Sequence, residues 1–137
     1  MRIQTAFASV VVLIGLGAAA QAATVKLAAG PAYSPHNAGG TVSCRVFNNG
    51  TAAATVSSRR IFTNTNTTVA LASDTCNVAL AVNRQCAYSA AIPGNFAFTC
   101  AITVQSTSAV AITGSMDIIS APPGLNLLTS APFQTGN

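Results

Sequence analysis

The sequence predicts an all-β domain, an antiparallel β-sandwich of seven or eight strands, and three observations predict it. Residues 96–104 and 109–118 each keep a strict period of two, in which apolar side chains alternate with small or polar ones. Because successive side chains of a strand point to opposite faces, each run has one apolar and one polar face. The rest of the chain is rich in Thr, Val, Asn, Ser and Gly and shows no helical periodicity. Turn signals recur at short intervals, which is typical of a sandwich or barrel.

The N-terminus has the pattern of a secretory signal peptide. Arg2 gives a short basic region, Ala6–Leu16 is an uninterrupted apolar run, and small residues occupy positions 20 and 22. We therefore expect residues 1–22 to be a signal peptide and Ala23 to be the mature N-terminus. A membrane anchor is the alternative, but the apolar run is shorter than the about 20 residues that a span needs. Residues 23–137 then form a single β-sandwich domain with a loosely ordered C-terminal tail, and no membrane span remains.

The first two mature strands are bounded by turn residues. Thr24–Ala29 is the first predicted strand, and Gly30–Gly40 is a predicted loop because it holds two prolines and a Gly-Gly pair. Thr41–Asn48 follows as a strand in which Val42, Cys44 and Val46 share one face. The Asn-Asn-Gly-Thr sequence at 48–51 is a tight-turn signal.

The later strands are shorter, apart from the two clear alternating runs. In the third, at Ala52–Thr63, the alternation falters around residues 58–60, which indicates a bulge or an edge. The remaining strands are expected at Val69–Ala72, Cys76–Val82, Cys86–Ile92, 96–104 and 109–118, with one edge strand at Leu125–Leu128 before the tail.

Four cysteines remain after cleavage, and an even count in an exported chain predicts two disulfides. Cys44 and Cys100 share the inward phase of their strands, so a bond between them would join the two sheets. Cys76 and Cys86 would then close a short loop. The main competitor joins Cys86 to Cys100 across a hairpin. A tetrahedral zinc site is a further alternative, but zinc ligands usually occur in closer Cys pairs than any here.

Two segments resemble bacterial immunoglobulin-like domains related to cell-adhesion modules. Thr41–Thr51 is similar to the strand and Asn-x-Gly-Thr turn that open many such domains, and Leu80–Cys86 lies where they carry a Leu-Ala-Pro-Gly turn, with Val-Asn replacing Pro-Gly here. The resemblance covers about 41–119, extends to small exported bacterial proteins of unassigned function, and implies an immunoglobulin-like fold but no functional residue. In that fold the strands of Cys86 and Cys100 belong to opposite sheets, which favours the pairs Cys44–Cys100 and Cys76–Cys86.

The charge pattern argues against nucleic acid as a partner. After cleavage five cations and two carboxylates remain, which gives a net charge of +3. Only Arg59 and Arg60 are adjacent, whereas nucleic-acid binding usually shows a clustered basic stripe. This pair is interpreted either as a contact surface for an anionic polymer or, preferably, as a charged edge that prevents strand pairing.

Residues for catalysis are scarce, so we expect no enzyme. His36 is the only histidine, and Asp74 and Asp117 are the only acids. A hydrolytic triad would require these residues to converge with a serine from separate segments. Oxidised cysteines cannot act as nucleophiles. We therefore expect no catalytic residue, no cofactor and no metal.

The sequence thus predicts an exported, non-enzymatic sandwich module of the cell envelope, periplasmic or extracellular, that binds an unknown protein or glycan as a monomer. One alternative is a pilus- or coat-type subunit that assembles by strand exchange, for which Thr24–Ala29 is the candidate donor. The other alternative is a small hydrolase that uses His36.

Overall fold

The protein folds into two stacked antiparallel sheets of five strands each. A computed structural model describes residues 23–34, 39–106, 111–121 and 126–135; the predicted signal peptide lies outside the described residues. In chain order the strands are β1 (Ala23–Tyr33), β2 (Thr41–Asn48), β3 (Thr55–Thr63), β4 (Thr68–Val69), β5 (Ser73–Asp74), β6 (Arg84–Ala91), β7 (Ala97–Ser106), β8 (Ile112–Ile119), β9 (Leu127–Pro132) and β10 (Gln134–Thr135).

Sheet 1 has the strand order β10-β1-β7-β3-β4, and sheet 2 has the order β5-β6-β2-β8-β9. The two alternating runs seen in the sequence become neighbouring strands of the chain in opposite sheets, β7 and β8. The all-β class and the two-layer antiparallel architecture predicted from the sequence are therefore confirmed. The described residues form ten strands where the sequence predicts seven or eight, and three of the ten, β4, β5 and β10, are only two residues long.

The core lies between the sheets and follows the predicted alternation. Each central strand contributes every second side chain, as in β7, where Phe98, Cys100, Ile102 and Val104 are buried and their neighbours are partly exposed. Further core side chains from the central strands include Val42, Cys44, Val46, Tyr88, Ala90, Ile61, Met116 and Ile118. This apolar interior fixes the register, because a slip of one residue would turn every core side chain toward solvent.

The first strand is longer than predicted. Residues 30–33 were expected in a loop, but β1 continues to Tyr33 through a bulge between Ala29 and Ala32. Gly30 permits the bulge, since its φ is 107° and a Cβ there would lie 2.6 Å from the Phe98 carbonyl oxygen. Pro31 is tolerated beside it because a bulge residue is not required to donate to the ladder.

The predicted strand at Cys76–Val82 is wrong. This segment is a loop whose one β-type pairing is the isolated bridge of Ala54 with Leu80, and its Cys76 and Leu80 side chains are buried in the core. β5 precedes it, and the Asp74 carboxylate accepts a hydrogen bond from the Cys76 backbone N–H (2.9 Å), which turns the chain out of the strand.

The C-terminal residues that the structure describes are paired strands where the sequence predicts mainly a loose tail. β9 pairs with β8 in sheet 2, and the chain then crosses the open side of the sandwich so that β10 pairs with Leu27 and Ala28 of β1 in sheet 1. Phe133 lies at the crossing and packs against the core. One continuous segment therefore joins both sheets on this side.

Candidate functional site

The four cysteines form two disulfides, Cys44–Cys100 and Cys76–Cys86, which are the pairs that the sequence predicts. The first joins β2 to β7 through the centre of the core, with a Cα–Cα distance of 6.1 Å. The second closes the loop before β6, with a Cα–Cα distance of 5.0 Å. No free thiol is left, so the zinc alternative and a cysteine nucleophile both lack the thiolate they require.

Arg59 and Arg60, adjacent in sequence, face opposite sides of sheet 1. Arg59 points toward sheet 2 and donates from Nε to Asp74 Oδ2 (2.6 Å), and its Nη2 forms an ion pair with the same oxygen. This hydrogen bond holds the pKa of Asp74 below its usual value of 3.8. The first of the two arginines thus connects the sheets and is not part of a free cationic surface.

Tyr88 lies in the core near this ion pair. Its hydroxyl donates to the Ala101 carbonyl oxygen (3.0 Å), so the phenol of β6 is anchored to β7 of the other sheet. Burial raises the pKa of Tyr88 far above its ordinary value, and the nearby Asp74 charge acts in the same direction. The phenol therefore stays protonated and serves as a structural donor.

The second carboxylate lies on the outer face of sheet 2. Asp117 forms an ion pair with Arg45 (3.7 Å) and accepts a hydrogen bond from the Ser130 hydroxyl (2.8 Å). A surface depression of about 420 Å³ lies here, lined also by Ile119 and Leu127. The charges of Arg45 and Asp117 in this depression neutralise each other.

The described residues do not bring together the groups of a hydrolytic triad. Asp74 and Asp117 lie on β5 and β8, with two strands between them in sheet 2, a separation of roughly 14 Å. His36 lies outside the described residues, in the gap at 35–38. Within the described ranges no three His, Cys, Asp or Glu residues lie close enough to hold a metal ion.

The outer face of sheet 1 carries a shallow groove of about 190 Å³ along β7. Its two flanks carry long cationic side chains, Lys26 from β1 and Arg60 from β3. The outward side chains around them are small: Ala101 and Thr103 on β7 between the cations, and Ala28 and Ser58 on the flanking strands. Neither cation takes part in a salt bridge among the described residues.

Asn48 is the buried polar residue whose importance the sequence did not reveal. It is fully buried, and its amide donates to the carbonyls of Ala52 and Leu80 (2.9 Å each) while its Oδ1 accepts from the Gly50 N–H. It therefore ties the turn after β2 to the loop closed by Cys76 and Cys86. The only signal in the sequence was the turn motif at 48–51, which does not show that the side chain is buried.

Another depression, of about 380 Å³, lies at the end of sheet 1 beside β4. Threonines of the turn at 63–68 line it together with Pro93 and Phe96. Three of their hydroxyls are hydrogen-bonded within the turn, because Thr65 contacts Thr63 (2.8 Å) and Thr67 (3.3 Å).

Searches against protein families, curated proteins and solved structures found no match to this chain. Among the described residues no helix is long and apolar enough to cross a membrane.

Proposed function

We propose that this protein is an exported, non-enzymatic binding module of the cell envelope that acts by surface contact with a protein or a glycan. The main observation behind the proposal is that both carboxylates of the chain form ion pairs within the protein. Asp74 and Asp117 are the only acids of the chain, and each is held in an ion pair with an arginine. The two carboxylates lie on different strands, each beside an arginine, and so do not form a paired acid and base, whereas cations remain exposed on an outer face.

Strand order supports an immunoglobulin-like fold for this module. With β2 as strand B, the series β5-β6-β2 corresponds to D-E-B and the series β7-β3-β4 to F-C-C′. The Cys44–Cys100 bond then joins B to F, as in immunoglobulin domains. The strands beside F and B differ from those of immunoglobulin domains, in which G lies beside F and A lies beside B. Here the first strand, β1, lies beside F, and β8, which follows F in the chain, lies beside B. Such folds hold many recognition modules, which agrees with a binding role and names no ligand.

Two disulfides support export to an oxidising compartment, the periplasm or the cell exterior. The N-terminal pattern adds the expectation that residues 1–22 are removed. Intact mass of the protein from the cell exterior or periplasm should correspond to a chain beginning at Ala23.

Saturable binding to isolated envelopes tests the proposal. Labelled mature chain, residues 23–137, should bind to envelopes of the source cell and be displaced by an excess of unlabelled chain. Protease treatment of the envelopes should abolish binding to a protein partner, and periodate treatment should abolish binding to a glycan. Absence of displaceable binding would contradict the proposed function. Release of a cleaved product by wild type but not by His36→Ala would favour the hydrolase.

Strand exchange is the second candidate, and one observation favours it. The candidate donor Thr24–Ala29 is part of the terminal strand β1, which lies beside β7 in the position that the last strand occupies in immunoglobulin domains. β1 of one copy could replace β1 of another. Size-exclusion chromatography separates the candidates: a monomer at high concentration excludes exchange, whereas a ladder of oligomers that persists on dilution supports it.

A further inference from the structure

We infer that the groove along β7 on the outer face of sheet 1 binds the carboxylates of an acidic polysaccharide, with Lys26 and Arg60 as the anchoring cations. This inference rests on the proposed function, since it names the ligand class and the surface of that binding module. Four features of the molecule support it: the placement of the two cations, the charge balance of the chain, the small and hydroxyl-bearing side chains of the groove, and the paired backbone of β7 beneath it.

The register places Lys26 and Arg60 on the same face, on either side of β7. Lys26 pairs with Thr103, and Arg60 pairs with Ala101, one outward position further along β7. Lys26 points outward because the residues on either side of it in β1 are buried in the core. Arg60 points outward because the next residue of β3, Ile61, is buried. Their strands are separated by roughly 10 Å, so a carboxylate above β7 lies within reach of both long side chains.

The charge balance leaves these two cations without an internal partner. The chain has two acidic side chains in all, and Arg59 and Arg45 already use them. No further side-chain carboxylate exists to neutralise Lys26 or Arg60. An anion that binds between them therefore displaces no ion pair, in contrast to the Arg45–Asp117 surface, where a ligand carboxylate would compete with Asp117.

The small side chains of the groove favour a sugar chain. Ser58 and Thr103 offer hydroxyl groups and the alanines offer methyl groups, which match the hydroxyls and the C–H faces of a sugar ring. The guanidinium of Arg60 can bind a carboxylate with two parallel hydrogen bonds, whereas Lys26 acts as a point charge.

The backbone under the groove excludes the usual mode of peptide recognition. A peptide gains most of its affinity for a sheet by adding a strand to an open edge. Here β7 is paired with β1 on one side and with β3 on the other, so its N–H and C=O groups are in use. Two cations also fall short of the basic stripe that a nucleic acid requires. An acidic polysaccharide needs neither an open strand edge nor a basic stripe, so it is the ligand that this surface favours.

Titration of the mature chain with polygalacturonate, a polymer in which every sugar carries a carboxylate, tests the inference. Wild type should bind at low ionic strength, and affinity should fall as salt is added, because the contacts are exposed charges. Lys26→Gln and Arg60→Gln should each weaken binding about tenfold. The matched control is Arg84→Gln, which removes the same charge at an exposed position away from the groove and should leave affinity within about twofold.

The inference is overturned by equal weakening in Arg84→Gln, or by binding of neutral dextran as tight as that of polygalacturonate. Equally tight binding of poly-L-glutamate, which would indicate an acidic peptide, also overturns it. The absence of any polygalacturonate binding would also overturn it. Each variant is compared with wild type by circular dichroism and thermal unfolding, and both positions are exposed, so loss of fold is separated from loss of binding.

The same variants separate this inference from the proposed function. If Lys26→Gln and Arg60→Gln bind isolated envelopes as wild type does, the module binds its partner elsewhere and the groove assignment is wrong. If wild type binds polygalacturonate but shows no displaceable binding to envelopes, the groove assignment stands and the proposed function fails.

Discussion

The two open sides of the sandwich are closed in different ways. On one side, which we call the ion-pair side, β3 lies over β5, and the Arg59–Asp74 pair connects the sheets. On the other, the crossing side, the backbone itself passes from β9 in sheet 2 to β10 in sheet 1. An ion pair responds to pH and to single substitutions, whereas a continuous chain responds to truncation. We therefore expect the ion-pair side to be sensitive to pH and to single substitutions, and the crossing side to be sensitive to truncation.

The central disulfide ties both sides equally, so its loss should have the largest effect. Replacement of Cys44 and Cys100 by alanine should lower the free energy of unfolding by about 5 kcal/mol, from a long loop released in the unfolded chain and from lost core packing. Replacement of Cys76 and Cys86 should cost about 3 kcal/mol, because that loop is short.

Chemical denaturation of both double variants measures this difference. Amide hydrogen exchange should show both sides of the sandwich loosened in the first variant and mainly the ion-pair side loosened in the second. A larger loss for the Cys76–Cys86 variant would contradict the assignment of Cys44–Cys100 as the main link between the sheets.

Truncation tests the crossing side. Deletion of residues 127–137 removes β9, β10 and the partly buried side chains of Leu128, Ala131 and Phe133. The apolar area lost corresponds to roughly 3 kcal/mol. Deletion of residues 136–137 alone is the matched control and should change stability by less than about 0.5 kcal/mol.

Hydrogen exchange decides whether this effect is confined to the crossing side. The amides of β1 and β8 should lose protection in the longer deletion, while those of β3 and β6 keep theirs. Unchanged stability of the longer deletion would mean that the crossing segment does not hold the sheets together.

The sequence predicts the core strands of the sandwich better than its edges. Strands of the core were predicted well, because their alternation is imposed by burial: β2 has the predicted bounds, and the inward phase of Cys44 and Cys100 places both sulfurs between the sheets. The edges were predicted poorly. The Cys76–Val82 segment contains Cys, Val and Leu at strand-like spacing, yet a disulfide and an Asx turn make it a loop.

The candidate surface was harder to predict than the core. Arg59 and Arg60 appear as one basic pair in the sequence, but alternation sends the first to Asp74 and the second to the outer face beside Lys26. Lys26 and Arg60 are 34 positions apart in the chain, and only the pairing of both strands with β7 brings them to one groove. No local pattern reports such a pairing.

The ion-pair side should respond to loss of its carboxylate. Asp74→Asn should lower stability by about 1 kcal/mol at neutral pH, because Arg59 loses its charged partner while the amide oxygen can still accept from the Cys76 N–H. The folded-state pKa of Asp74 is below 3.8, so its stabilising contribution is complete above that pH and is lost as the pH falls through the lower folded value.

Urea unfolding of wild type and Asp74→Asn from pH 7 to pH 2 checks the direction in which the stabilisation by Asp74 changes with pH. The stability difference between the two proteins should be constant near neutrality and should shrink below pH 3.8. A difference that grows on acidification would mean that the carboxylate is not held by Arg59. Truncation of the crossing side, in contrast, should lower the free energy of unfolding by the same amount at pH 7 and at pH 2.

The smallest effect is expected for the second ion pair, which connects strands of one sheet and closes no side. Arg45→Gln should change stability by less than about 0.5 kcal/mol, because the Arg45 side chain is 56% exposed, its distance to Asp117 is 3.7 Å, and Ser130 still donates to the same carboxylate. Arg59→Gln is the matched substitution on the ion-pair side and should cost about 1 kcal/mol, since its side chain is 24% exposed and joins two sheets. Unfolding midpoints measured for both variants in low and in high salt complete the test. Equal losses would show that the Arg59–Asp74 pair acts as an ordinary surface pair, and that the ion-pair side is held closed by packing of β3 against β6 instead.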